Sequence, residues 1–173
     1  MNERRWTLAE LDAMDRDGFT RVVGPVFEHS PWIAEAAWCR RPFGSLNALH
    51  DALCAIVGKA GEAKQLALIQ AHPDLVGRAA TSGTLTPASM TEQAGAGLDR
   101  LSAPEIATFQ QFNLEYRERF GFPFVICARL NRKDSILAAF PRRLNNSRKE
   151  EILAALGEIA KIARLRLEDL ILP

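Results

Sequence analysis

One of the three histidines in this sequence, at positions 29, 50 and 72, stands where an imidazole could move protons. His72 closes the apolar run from Glu62 to Ala71 and is followed by Pro73 and Asp74. Proline disfavours helical geometry in the residue before it, so the run should end near His72. An imidazole at that end meets the negative pole of a helix dipole, which favours its protonated form. A carboxylate two residues on can orient it. The same residues also read as a plain helix stop. His29, just before Ser30-Pro31, and His50, off the leucine face of its run, read as structural or exposed.

Two further places carry chemistry-bearing residues. Ser89-Met90-Thr91-Glu92-Gln93 contains the Ser-x-x-Glu capping-box pattern. It either closes the start of a short helix or presents that helix's free N–H groups to a polar or anionic ligand. Glu92 and Gln93 then add an acceptor and an amide suited to a urea-like group. In the last apolar run, Ile152, Leu156, Ile159, Ala163 and Leu170 follow one another at helical steps, and Arg166 fills the skipped position. A buried arginine without an anionic partner is costly. The sequence leaves three readings open: an internal salt bridge, snorkelling to the surface, or a ligand carboxylate held in a bidentate clamp.

The elements that must position these residues read as helices. Thr7-x-x-Glu10, Ser102-x-x-Glu105 and Ser147-x-x-Glu150 are capping boxes ahead of apolar-periodic runs. Ser30-Pro31 offers an N-cap with proline at the first helical position. Ser45 opens a run through Val57 that Gly58 should stop. Residues 73–88 read as an ordered loop or broken helical turn. Residues 103–120 place Ile106, Phe109, Phe112, Tyr116 and Phe120 on one face, with Asn113 inside the stripe. The expected role of that amide is to hold a neighbouring loop's backbone. Only Phe122 to Leu130 looks strand-like, and with no second such run it reads as buried extended chain entering a further helix. The expectation is a single compact all-α domain of about seven or eight helices over residues 1–173.

Composition narrows the function classes. The chain has 173 residues, 47% apolar and 25% charged, with 22 basic and 21 acidic residues. A net charge of +1 is a poor match for a nucleic-acid binder that works by phosphate neutralisation. No apolar run approaches the ~20 residues of a membrane span, and the N-terminal stretch lacks the apolar core of a secretory signal. Cys39, Cys54 and Cys127 are odd in number and widely spaced, which fits neither a disulfide framework nor a zinc site. A cytoplasmic protein with no metal is expected. Dinucleotide, P-loop, nucleophile-elbow and zincin signatures are absent.

The stretches FEHSPWIAE (27–35), AHPDLVGRAA (71–80), SMTEQAGAGLDRL (89–101), FNLEYRERFGFPFVICAR (112–129) and KIARLRLEDL (161–170) together resemble the OHCU decarboxylase family. OHCU is 2-oxo-4-hydroxy-4-carboxy-5-ureidoimidazoline, an intermediate of uric acid breakdown. The resemblance spans nearly the whole chain, and it implies an all-α, cofactor-free homodimer that converts OHCU to (S)-allantoin and carbon dioxide. It implies that His72 is the catalytic proton donor, that Glu92 and Arg166 belong to the catalytic group, and that Pro73 lies against the substrate. Substrate binding falls to Ser89, Met90, Thr91, Glu92 and Gln93. Phe124, Val125, Ile126, Cys127 and Ala128 contribute largely through main chain. Convergence of His72, Glu92, residues 124–128 and Arg166 on one pocket is the resulting expectation. A non-catalytic helical binding module, or a lyase or hydrolase acting on another ureido compound, are the alternatives.

Overall fold

The computed structural model describes residues 4–76 and 85–173. Nine α-helices are found among them: α1 (Leu8–Ala13), α2 (Arg16–Val23), α3 (Trp32–Ala37), α4 (Leu46–Lys59), α5 (Glu62–Gln70), α6 (Pro87–Gly95), α7 (Ala103–Phe120), α8 (Lys133–Leu144) and α9 (Arg148–Leu170). The described residues include no strand, so the all-α expectation holds. Of the loop expected over 73–88, residues 77–84 lie outside the described residues, and Pro87 and Ala88 already belong to α6. No described helix is long and apolar enough to cross a membrane.

The capping boxes at Thr7, Ser102 and Ser147 do start helices. The Thr7 N–H donates to Glu10 Oε2 at 2.8 Å and the Glu10 N–H returns to Thr7 Oγ1 at 3.2 Å. Ser147 and Glu150 make the same exchange, at 2.8 and 3.3 Å. Each box satisfies N–H groups that a helix start leaves without intrahelical acceptors. The helix that the patterns did not announce is α2. Its cap is Asp15, whose Oδ1 accepts from the Gly18 N–H at 2.7 Å, without a returning Glu or Gln. The expected stop at Gly58 is corrected: α4 runs through it to Lys59, and the Ala60 N–H closes on the Ile56 and Val57 carbonyls, both at 3.1 Å. A single glycine costs a helix only about 1 kcal/mol, too little to end one whose Leu49, Leu53, Ile56 and Val57 are buried.

The chain forms two compact units. The first contains α1 to α5 and the C-terminal part of α9, from Ala160 onward. Its fully buried side chains include Leu11, Phe19, Val23, Ile33, Leu49, Leu53, Leu68, Ile69 and Leu167. The two ends of the chain meet here, with Trp6 N–H donating to Leu170 O at 2.9 Å and Leu172 N–H to Trp6 O at 2.8 Å.

The second unit contains α6, α7, α8 and the first part of α9, together with the turn from His72. Its core is aromatic. Phe109, Tyr116, Phe120, Phe122, Phe124 and Phe140 are all buried, and the Phe124 and Phe140 rings stack at 3.8 Å. Gly121, at φ 80°, ends α7 in the left-handed conformation that glycine adopts without steric cost. Residues 122–127 then run through the core without regular structure into a 3-10 turn at Ala128–Leu130 and on to α8, as the sequence implied.

Lys133 Nζ, at the start of α8, donates to Glu105 Oε1 at 2.5 Å. That bond, followed by those from Ser102, brings the Glu105 carboxyl down to about 2. A carboxyl lowered on folding contributes stability above its unfolded value, and the contribution disappears as pH falls through the folded value. The Glu105 side-chain carbon signal should therefore titrate near pH 2 in the folded protein. A midpoint above 4 would mean that the Lys133 contact does not persist in solution.

Candidate active site

His72 is 6% exposed and follows directly on the C-cap residue Ala71 of α5, where Pro73 was expected to end the run. The turn it opens is held by side chains from two helices. Asn113, buried in α7, donates from Nδ2 to Leu75 O at 2.7 Å. This is the role its place in the aromatic stripe suggested. Gln93, buried in α6, accepts the Val76 N–H on Oε1 at 3.3 Å. Val76 has φ 54°, a conformation uncommon for a β-branched residue, and this hydrogen bond helps to hold it there. At the outer edge, Arg117 Nε lies 2.9 and 3.0 Å from the two Asp74 oxygens. The carboxylate two residues after His72 thus pairs with an arginine of α7.

The Ser89 stretch needs a correction. α6 starts three residues earlier than the Ser-x-x-Glu pattern implied, with Thr86 as its cap and Pro87 at its first position. The Thr86 hydroxyl accepts the Ser89 N–H at 3.3 Å. Ser89 therefore sits inside the first turn, and Glu92 one turn further on. A threonine followed by proline is itself a helix-start signal, and it outcompetes the capping box here. The consequence is a helix face in place of an exposed N-terminus. Ser89 and Gln93, four residues apart, are buried, and Glu92 beside them is half-buried. Met90, 50% exposed, and Thr91 lie away from that face. The Thr91 hydroxyl donates to Pro87 O at 3.0 Å.

Residues 124–128 lie alongside, since α6 packs against the 128–130 turn and the Lys133 N–H donates to Ala96 O at 3.2 Å. Phe124, Val125, Cys127 and Ala128 are buried and Ile126 is half-buried. Part of this main chain is already engaged. Arg143 Nη1 donates to Val125 O, Glu158 Oε2 accepts the Cys127 N–H at 2.8 Å, and Asn131 Nδ2 donates to Cys127 O at 3.0 Å. Arg143 is fixed in turn by the fully buried Glu151, which also accepts from the Tyr116 hydroxyl at 2.6 Å and from Asn146 Nδ2 at 2.7 Å. Burial, above all, pushes the Tyr116 hydroxyl far above its ordinary value, so it acts as a neutral donor. No local sequence signal marks this support. Arg143 and Glu151 look like ordinary helix-surface charges until α8 and α9 close on the aromatic core.

The second unit thus assembles the His72 turn, the Ser89–Gln93 face and residues 124–128 through α6 and α7. Arg166 belongs to the first unit. It is 8% exposed, and its Nη1 donates to Glu28 Oε2 at 2.9 Å and to Val26 O at 3.4 Å. The internal salt bridge is therefore present. Its carboxylate, 2% exposed, comes from a residue 138 positions away that no local signal marks. His29 is exposed, and His50 Nε2 lies 2.9 Å from Ala160 O, in keeping with their structural reading. No cluster of three His, Cys, Asp or Glu side chains fit to hold a metal occurs among the described residues.

Comparison with known proteins gives this arrangement its context. The family model described as OHCU decarboxylase matches residues 12–168. The 2-oxo-4-hydroxy-4-carboxy-5-ureidoimidazoline decarboxylase of Haloferax volcanii is 45% identical over 94% of this chain and 95% of its own length. A crystal structure of (S)-allantoin synthase superposes with a TM-score of 0.75 at 28% identity, covering 96% of this chain and 54% of that one. A crystal structure of OHCU decarboxylase in the presence of (S)-allantoin gives 0.65 at 27% identity, over 80% of this chain and 89% of that one. The chain belongs to the OHCU decarboxylase family.

Proposed function

We propose that the protein decarboxylates OHCU to (S)-allantoin within uric acid degradation, as a cofactor-independent carboxy-lyase. The observation that carries this reading is the buried His72 turn, clamped by Gln93 of the same helix face that bears Glu92. Decarboxylation breaks the bond between the ring carbon and its carboxylate, and the electron pair needs somewhere to go. In OHCU the adjacent carbon–nitrogen double bond accepts it. Carbon dioxide leaves, the ring nitrogen takes a proton, and an enol remains. Loss of the enol O–H proton and protonation of the ureido-bearing carbon then give allantoin. The substrate supplies the electron sink, so the protein has only to orient the ring, exclude water and handle protons.

His72 is the proton-transfer group in this reading, beside the leaving carboxyl and the hydroxyl. Glu92 accepts from the ureido N–H groups. Gln93, whose Oε1 is bound to Val76, offers its NH2 end. Ser89 and Pro73 shape the pocket with Met90 and Thr91 at its margin, and main-chain groups of residues 124–128 not engaged internally meet the ring edge. Family resemblance puts Arg166 in the catalytic group, where it either binds the substrate's negative charge or orders Glu92; Glu28 holds its guanidinium. The working form is a homodimer in the cytoplasm.

The test is optical. Protein added to freshly generated OHCU should produce allantoin faster than spontaneous decay, as a single enantiomer. Racemic product at the uncatalysed rate would remove the assignment.

A further inference from the structure

Asn113 poses a question that its bond to Leu75 does not answer. Its Nδ2 donates to Leu75 O, yet its Oδ1 is buried and has no hydrogen-bond donor. A buried acceptor left in this state costs stability. An apolar residue would suit the aromatic stripe of α7 better, since Phe109, Tyr116 and Phe120 on the same face are all buried. What the amide supplies is one hydrogen bond, to the carbonyl three residues after His72. With Gln93 on Val76 and Arg117 on Asp74, it makes the last three residues of the turn captive. Asn113 and Gln93 reach the turn as buried, uncharged amides, while Arg117 closes it from the exposed side.

We propose that Asn113 is a positioning residue for His72, an amide kept in an apolar helix face, at a cost to stability, because it fixes the turn that aims the imidazole. The proposal rests on the function proposed above for what His72 does, but not for how His72 is held. Loss of the Leu75 bond frees the 72–76 turn to relax, beginning with Val76, and the imidazole moves with it. Displacement of a reacting group by about 1 Å can cost 10²-fold in rate.

Two variants of near-equal volume separate positioning from mere stability. Asn113→Asp puts an acceptor where the donor stood. Asn113→Leu removes both the donor and the unpaired acceptor, and it decides the matter if the charged variant does not fold. In the folded variant, kcat for OHCU should fall about 10²-fold with KM changed only a few-fold. The imidazole proton signals assigned to His72 should shift, while those of His29 and His50 stay in place. Leu11→Ala in the first unit is the control: it lowers the unfolding midpoint and leaves kcat per folded molecule unchanged. A folded Asn113→Leu with unmoved His72 signals, or with wild-type kcat, would overturn the proposal. If the wild-type protein does not act on OHCU at all, the functional reading fails, and the His72 signals still decide whether Asn113 holds the turn.

Discussion

His72→Asn should lower turnover of OHCU by about 10²–10⁴-fold, the usual contribution of general acid–base catalysis, and leave the fold in place. The residue follows the C-cap of α5, where a smaller polar side chain is acceptable. The clamps on Leu75 and Val76 act on backbone and survive the change. Stereochemistry is the sharper readout. OHCU decays spontaneously to racemic allantoin, so a slowed enzyme is overtaken by uncatalysed decay and the product drifts toward the racemate. His50→Asn, by contrast, should alter neither rate nor enantiomeric excess. If folded His72→Asn keeps wild-type rate and a single enantiomer, His72 is only a helix stop, and Glu92 becomes the leading proton-transfer candidate.

What the sequence revealed, and what it hid, follows from the range of the interactions. Capping boxes at Thr7 and Ser147 were legible because the exchange spans three residues and involves nothing else. The stop at His72 was legible because Pro73 acts on its immediate neighbour. Asn113 was legible as an anomaly, since one amide interrupts an otherwise aromatic stripe, but its partner Leu75 lies 38 positions away. Local signals failed where two of them competed. Thr86-Pro87 and Ser89-x-x-Glu92 both announce a helix start, and the earlier one prevailed. Arg166 was flagged correctly as a buried cation in need of an anion, yet nothing near Glu28 marks it as that anion. Family resemblance bridges such distances for the residues that it names. It says nothing of Arg143 and Glu151, whose roles exist only once three helices have packed.

Glu151→Ala should destabilise the protein by about 3–5 kcal/mol, the usual cost of removing one partner of a buried ion pair. Glu151 is fully buried and serves three donors at once, from Tyr116, Arg143 and Asn146. Truncation leaves the Arg143 cation in place, 13% exposed, its guanidinium 4.5 Å from the centre of the Phe124 ring and bound to Val125 O. An uncompensated charge then remains against the stacked Phe124 and Phe140 rings. The exposed Arg164–Glu168 pair is the natural comparison, with both side chains more than a third exposed. Pairs of that kind contribute at most about 1 kcal/mol, so Glu168→Ala should be nearly silent. Urea unfolding of both variants measures the difference directly, and a loss below about 1 kcal/mol for Glu151→Ala would mean that Arg143 finds other compensation. The damage should also reach residues 124–128, because Arg143 links Glu151 to the Val125 carbonyl. Folded Glu151→Ala should therefore lose activity on OHCU under conditions where Glu168→Ala does not, although residue 151 itself lies in the aromatic core and has no proposed contact with the substrate.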